Sequence, residues 1–289
     1  MGPKKLTKNG LVLENRRFQT LLALSAVVLL ASCSKVEFEK GPPVTTTAGG
    51  PVVCGPFEKE PTKPGHGLVG DLYALSPSQC AANEAACSNT TQYIQDSNKI
   101  MRVEMSAVNV PTRNFSSGFD ISSGKVKYPG TNTDIVEWFG LKLRTQVQLS
   151  AGQTGGKYQF ALLADDGVIL RLSDSGSLLI SDNQIHPSKV SCSNYAVDIQ
   201  PGQKIPMELE YFQGPRTHIA VILLWRKMDG DPNATEPECT RPASTDNYYF
   251  DSANGSAVLT PYSNFKARGW TELTNDNFIL PAGETNQCT

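Results

Sequence analysis

Carboxylates, cysteines and histidines are the groups in this chain that could do chemistry, and their spacing excludes most of it. Asp165 and Asp166 are adjacent and precede Gly167, and Asp182, Asn183 and His186 follow in the next polar stretch. By residue type alone Asp-Asp-Gly is a turn, because Asp and Gly tolerate the dihedrals a tight turn requires. Glu208 and Glu210 imitate a carboxylate pair, yet they lie two apart on one strand pattern. Glycoside hydrolysis needs two carboxylates across a cleft, and no second partner is identifiable. No Gly-x-Ser-x-Gly elbow, His-Glu-x-x-His helix or phosphate loop occurs, so the expectation is a binding protein and not an enzyme. There is no C-x-x-C pair, and His66, His186 and His218 are scattered, which disfavours a zinc-type site. Trp138 and Trp225 sit within strand patterns and read as core, whereas Trp270 stands among polar residues and is a candidate for stacking on a ligand.

Cys33 has a different setting from the other cysteines. Lys4, Lys5, Lys8, Arg16 and Arg17 precede a run from Leu21 to Leu30 that is apolar except for Ser25. That is a charged n-region followed by an h-region. Ten residues of helix span about 15 Å, half of a ~30 Å hydrocarbon core, so an export signal is expected and not a membrane-spanning helix. The run ends Leu30-Ala31-Ser32-Cys33, which resembles the lipobox of bacterial lipoproteins. The resemblance implies cleavage before Cys33, lipid on its thiol and attachment to a membrane. Ser34 stands where an aspartate would favour inner-membrane retention, so an outer-membrane anchor is expected, with the domain facing the periplasm or the surface. Cys54, Cys80, Cys87, Cys192, Cys239 and Cys288 remain, an even number in an exported chain. Three disulfides are expected, with fifteen possible pairings and Cys80 with Cys87 as the natural local pair. The net charge of −2 and the lack of a Lys/Arg cluster beyond the signal exclude nucleic acid as a partner.

These groups must be positioned by strands. Residues 33–66 are rich in Pro, Gly, Thr and Lys and read as a flexible tether whose distal end Cys54 could pin. From Gly67 to about residue 228, short runs alternate with period two. In the clearest, Phe139, Leu141, Leu143, Val147 and Leu149 share one face, with Lys142, Arg144, Gln146 and Gln148 on the other. The pattern predicts an all-β, antiparallel β-sandwich. One short N-terminal helical segment, Ser76 to Asp96, is the only helical candidate. Residues 229–289 read as a loop-rich C-terminal extension of strands and loops packed on the sandwich and stapled by Cys239 and Cys288. The organisation expected is therefore signal 1–32, tether 33–66, sandwich 67–228 and extension 229–289.

Gly67-Leu68-Val69-Gly70-Asp71-Leu72-Tyr73, Trp138-Phe139-Gly140, Gly156-x-Tyr158-x-Phe160 and Ala164-Asp165-Asp166-Gly167-Val168 occur in that order. Asp182-Asn183, His186, Pro201-Gly202-Gln203, Glu210-Tyr211-Phe212-Gln213-Gly214 and Leu223-Leu224-Trp225 follow. The ordered set resembles the fourteen-kilodalton β-sandwich domain of anthrax protective antigen, found also in fungal adhesins and glycosidases, over about 160 of the 289 residues. Ser173-Asp174-Ser175-Gly176 and Leu72 depart from the family pattern. In sugar-binding members the adjacent aspartates hold a calcium ion that grips sugar hydroxyls. The resemblance thus implies calcium at Asp165 and Asp166, with Asp182 and Asn183 completing the shell and His186 contacting ligand or supporting a loop. Calcium takes six to eight hard oxygen ligands, and imidazole suits it poorly. Both carboxylates can converge on one ion only if the backbone turns sharply or the peptide is cis. The implied function is a lipid-anchored envelope module that binds a glycan with calcium. The alternative is a structural or protein-binding envelope lipoprotein that uses a loop or an exposed sheet edge and no sugar.

Overall fold

The computed structural model describes residues 52–57, 62–117, 120–121, 124–228, 236–243 and 245–288. The signal at 1–32, Cys33 and most of the tether lie outside the described residues. The fold is the expected all-β sandwich. Its first sheet contains β1 (Val52–Cys54), β2 (Leu68–Ala74), β3 (Lys99–Met105), β5 (Phe139–Val147), β7 (Val168–Leu172), β8 (Leu178–Asp182), β11 (Ile205–Gln213) and β14 (Phe278–Ile279). The second contains β4 (Asn109–Asn114), β6 (Gly156–Asp165), β9 (Lys189–Cys192), β10 (Val197–Ile199), β12 (His218–Lys227) and β13 (Thr271–Glu272). The first sheet runs β1-β3-β2-β5-β11-β7-β8, with β14 also on β5. The second runs β9-β6-β12-β13, with β10 on β6 and β4 on β12. All these pairings are antiparallel except β1 with β3.

The alternation in the sequence becomes the core. Phe139, Leu141 and Leu143 of β5 and Leu209 and Tyr211 of β11 face Phe160 and Leu162 of β6 and Leu223 and Trp225 of β12 in one buried cluster. Register holds through the long central pair, from Ile205 opposite Val147 to Gln213 opposite Phe139, because a one-residue slip would turn this row to the other face. The second sheet buries its outer face as well. Ala161, Leu163, Ile222 and Leu224 pack against Tyr249, Tyr262, Phe265 and Trp270 of the C-terminal segment.

Three local expectations are corrected. Part of the stretch read as tether belongs to the fold: Val53 is 2% exposed in the main core, and β-branched Val52 and Val53 pair with Arg102 and Val103. The segment from Ser76 to Asp96 is not one helix but α1 (Pro77–Ala82), a 3-10 turn (Glu84–Cys87) and α2 (Thr90–Tyr93). The Cys80–Cys87 disulfide bends it back, and Gln92 Oε1 accepts the Ser88 and Asn89 amides to start α2. The C-terminal segment contains a further helix, α3 (Thr260–Ala267), begun at Pro261 and buried along Tyr262 and Phe265, a three-residue spacing that shares a face.

The six cysteines form three disulfides, Cys54–Cys288, Cys80–Cys87 and Cys192–Cys239. The first joins β1 to the chain's end, and the third ties β9 to the C-terminal segment.

Candidate functional site

β6 ends at Asp165, and β7 begins at Val168 after a tight corner through Asp166 and Gly167. The Asp165–Asp166 peptide is cis. Gly167 is required by space: a Cβ there would lie 2.2 Å from the Phe212 ring and 3.0 Å from the Gln184 amide nitrogen. Asp165 and Asp166 are 4% and 3% exposed, an unusual state for carboxylates, which burial penalises unless they are well bonded.

Their bonding comes from two loops. Asp166 Oδ1 accepts the His186 backbone N–H at 3.0 Å, and its Oδ2 accepts the Gly214 N–H at 2.8 Å and, more weakly, Gln213 Nε2 at 3.5 Å. Asp165 Oδ2 accepts the Ser188 hydroxyl at 3.1 Å, and Ser188 Oγ lies 3.1 Å from Thr112 Oγ1. The Tyr211 hydroxyl is 2.6 Å from both the Asp165 carbonyl and Gln213 Oε1. Burial, then the charges of Asp165 and Asp166, push the Tyr211 phenol well above its ordinary range, with Arg113 opposing. The corner is thus a buried pair of carboxylates that accepts from Ser188, His186, Gln213 and Gly214.

Asp182 and Asn183 are bonded differently. Asp182 Oδ2 accepts the Ser191 hydroxyl and lies 2.9 Å from Lys189 Nζ. His186 Nε2 is 3.1 Å from the same oxygen, within ion-pair distance but not aligned as a hydrogen bond. Burial raises the Asp182 carboxyl, but His186, Ser191 and Lys189 outweigh it and hold the group well below the usual carboxylate range. Asn183 Oδ1 accepts the Thr90 N–H at 2.7 Å and so fixes the start of α2. His186 links the two groups, with its backbone on Asp166 and its ring beside Asp182.

Calcium chemistry asks for hard oxygens, which Asp165 and Asp166 supply. Asp182 already faces an ammonium and Asn183 an amide, and among the described residues no three His, Cys, Asp or Glu side chains converge as metal ligands. The pair fits the cation's preference; the four-residue shell is not assembled.

Trp270 requires a correction. It is fully buried, stacks on Phe265 at 4.9 Å between ring centroids, and donates from Nε1 to Glu236 Oε2 at 3.1 Å. Its polar sequence neighbours hide a ring that anchors the C-terminal segment, so it offers no ligand platform. Glu208 and Glu210 pair with Lys142 and Arg171 across neighbouring strands. Ser188 and Gln213 were not legible as site residues, although Gln213-Gly214 ends one of the family-like motifs.

No family model matches the chain, and no curated protein matches it. Similar solved structures include the PA14 sugar-binding domain from an RTX adhesin, at 19% identity over 57% of this chain and 92% of that one, with a TM-score of 0.38. The A domain of epithelial adhesin 9 from Candida glabrata, solved with Galβ1-3GlcNAc, is 14% identical over 65% of this chain and 90% of that one, with a TM-score of 0.36. An anti-sigma factor domain-containing protein is 14% identical over 77% of this chain, with a TM-score of 0.43, and the chain spans 51% of its length. At these scores the likeness assigns neither a family nor a ligand to this chain.

Proposed function

We propose that this chain is an exported, lipid-anchored envelope module that binds carbohydrate through a calcium ion held at Asp165 and Asp166. The observation that carries the reading is the burial of two sequence-adjacent carboxylates, 4% and 3% exposed, in one corner. A buried pair of carboxylates offers the hard oxygens that a divalent cation prefers, and the ion when bound would offer coordination positions to a sugar diol. The chain's own residues fix the corner: Ser188 orients Asp165, while the His186 and Gly214 amides orient Asp166. Family-like motifs on both sides of Asp165-Asp166-Gly167 in the sequence support the sugar, and three disulfides suit an exported chain. The lipobox-like ending at Cys33 supports the anchor.

A glycan array probed with the full chain in detergent, first in calcium and then in chelator, tests the reading. Glycan binding that chelator abolishes is expected. Binding that survives chelator contradicts the calcium, and a silent array in calcium contradicts the sugar.

A further inference from the structure

The C-terminal segment forms a short hairpin, Phe250–Asp251 antiparallel to Ala257–Val258, closed by a turn from Ser252 to Ser256. The last two turn residues are left-handed, Gly255 at φ +60° and Ser256 at φ +61°. Glycine takes that conformation without steric cost, so the turn itself favours a glycine directly after Asn254. Asn254 and Gly255 are exposed, and a Cβ on Gly255 would meet no atom within 4 Å. Asn-Gly occurs twice in the chain, here and at Asn9-Gly10 in the signal.

Around this pair the turn is fastened. Asp251 Oδ1 accepts the Ala253 N–H at 3.1 Å, the Ser252 N–H donates to Asn247 Oδ1 at 3.0 Å, and Ser252 Oγ lies 2.8 Å from His218 Nε2. The Ser256 hydroxyl donates to the Thr112 carbonyl of β4 at 2.8 Å. An Asn side chain in a turn ordinarily bonds nearby backbone and is thereby held in place. Among the described residues the Asn254 side-chain amide has no hydrogen-bond partner. It can therefore swing onto the neighbouring peptide.

We infer that Asn254-Gly255 is a site of spontaneous modification, at which the asparagine becomes aspartate and isoaspartate with water as the co-reactant. The Gly255 backbone nitrogen attacks Asn254 Cγ, the Cγ–Nδ2 bond breaks, and the proton lost from the nitrogen leaves with Nδ2 as ammonia. A succinimide ring remains, and the open side of Gly255 gives it room. Water then adds to one of the two ring carbonyls and breaks its bond to the nitrogen, which takes a proton back. Opening at Cγ gives aspartate. Opening at the Asn254 main-chain carbonyl gives isoaspartate, whose backbone runs through Cγ and is longer by a methylene. Either product exchanges a neutral amide for a carboxylate, in a turn that reaches Asp165 through Ser256, Thr112 and Ser188. The chemistry needs no metal and is independent of calcium at the aspartate corner.

Peptide mapping of the full chain, after incubation in chelator at neutral and at mildly alkaline pH, tests the inference, with the free peptide Ser-Ala-Asn-Gly-Ser as reference. Loss of the Asn254 amide is expected, with isoaspartate and aspartate at that position. It should run ahead of any loss at Asn83 and Asn132, which are exposed but precede Glu84 and Thr133. The loss should be faster at the higher pH, because the attacking nitrogen must give up its proton. Asn254→Gln should abolish the modified peptide, and Gly255→Ala should slow its formation, since a Cβ crowds the attacking nitrogen. An intact Asn254 after the reference peptide has converted, equal loss at Asn83 and Asn132, or an undiminished rate in Gly255→Ala overturns it.

Discussion

Asp166 uses one carboxylate to hold two loops, through the amides of His186 and Gly214, while Asp165 engages Ser188 and the Tyr211 hydroxyl meets its carbonyl. The Asp-Asp-Gly run was legible in the sequence because all three residue types are contiguous. Ser188 and Gln213 were not, since they meet the aspartates across 23 and 47 residues of chain. Asp182 was read as a cation ligand, but local sequence does not reveal that β9 delivers Lys189 and Ser191 to it. The lowered Asp182 carboxyl gives a pH dependence with a definite sign. Its contribution is fully present above the unfolded-state pKa of about 3.9 and is lost as pH falls toward the lower folded value. Asp182→Asn should therefore cost about 1–3 kcal/mol at neutral pH and flatten the acid limb below about pH 4. Urea melts across pH 2 to 7 check this; parallel acid limbs for variant and wild type would contradict it.

Among the elements, strands with period-two alternation were readable because burial on one face repeats locally. Phe139, Leu141 and Leu143 all face the core as their spacing requires. The helical elements were less readable because tertiary contacts decide them. Ser76 to Asp96 has helix-forming composition, but the Cys80–Cys87 disulfide and the seat of Tyr93 on Gly140 fold it into short turns. α3 was hidden among polar residues, and contact with Trp270 and with the outer face of the second sheet buries Phe265. The seat of Tyr93 is tight: a Cβ on Gly140 would stand 2.8 Å from the Tyr93 Cβ. Gly140→Ala should push the cystine-braced segment off the sheet and cost about 1–3 kcal/mol. An unchanged denaturation midpoint would show that the segment does not depend on this close approach.

In the whole molecule, the aspartate corner and the Cys54–Cys288 bond lie toward different ends of the sandwich. β6, β11 and β12 bring Asp165, Gln213 and His218 to one end, whereas β1 runs alongside β3 away from Lys99, toward Glu104 and the Cys54–Cys288 bond. Cys33 precedes Cys54 by 21 residues, a stretch that can span at most about 70 Å. Cys33→Ser should abolish metabolic lipid labelling, and label retained by the variant would contradict the anchor. Calcium at the aspartate corner is tested by a thermal melt of the full chain in excess calcium and in chelator. A cation that binds only the folded chain, at about a hundred times its dissociation constant, adds about 2.7 kcal/mol, or about 5–10 °C for a domain of this size. The wild type should show that shift and Asp165→Asn and Asp166→Asn should lose it, whereas identical wild-type curves in calcium and chelator would contradict calcium at Asp165 and Asp166.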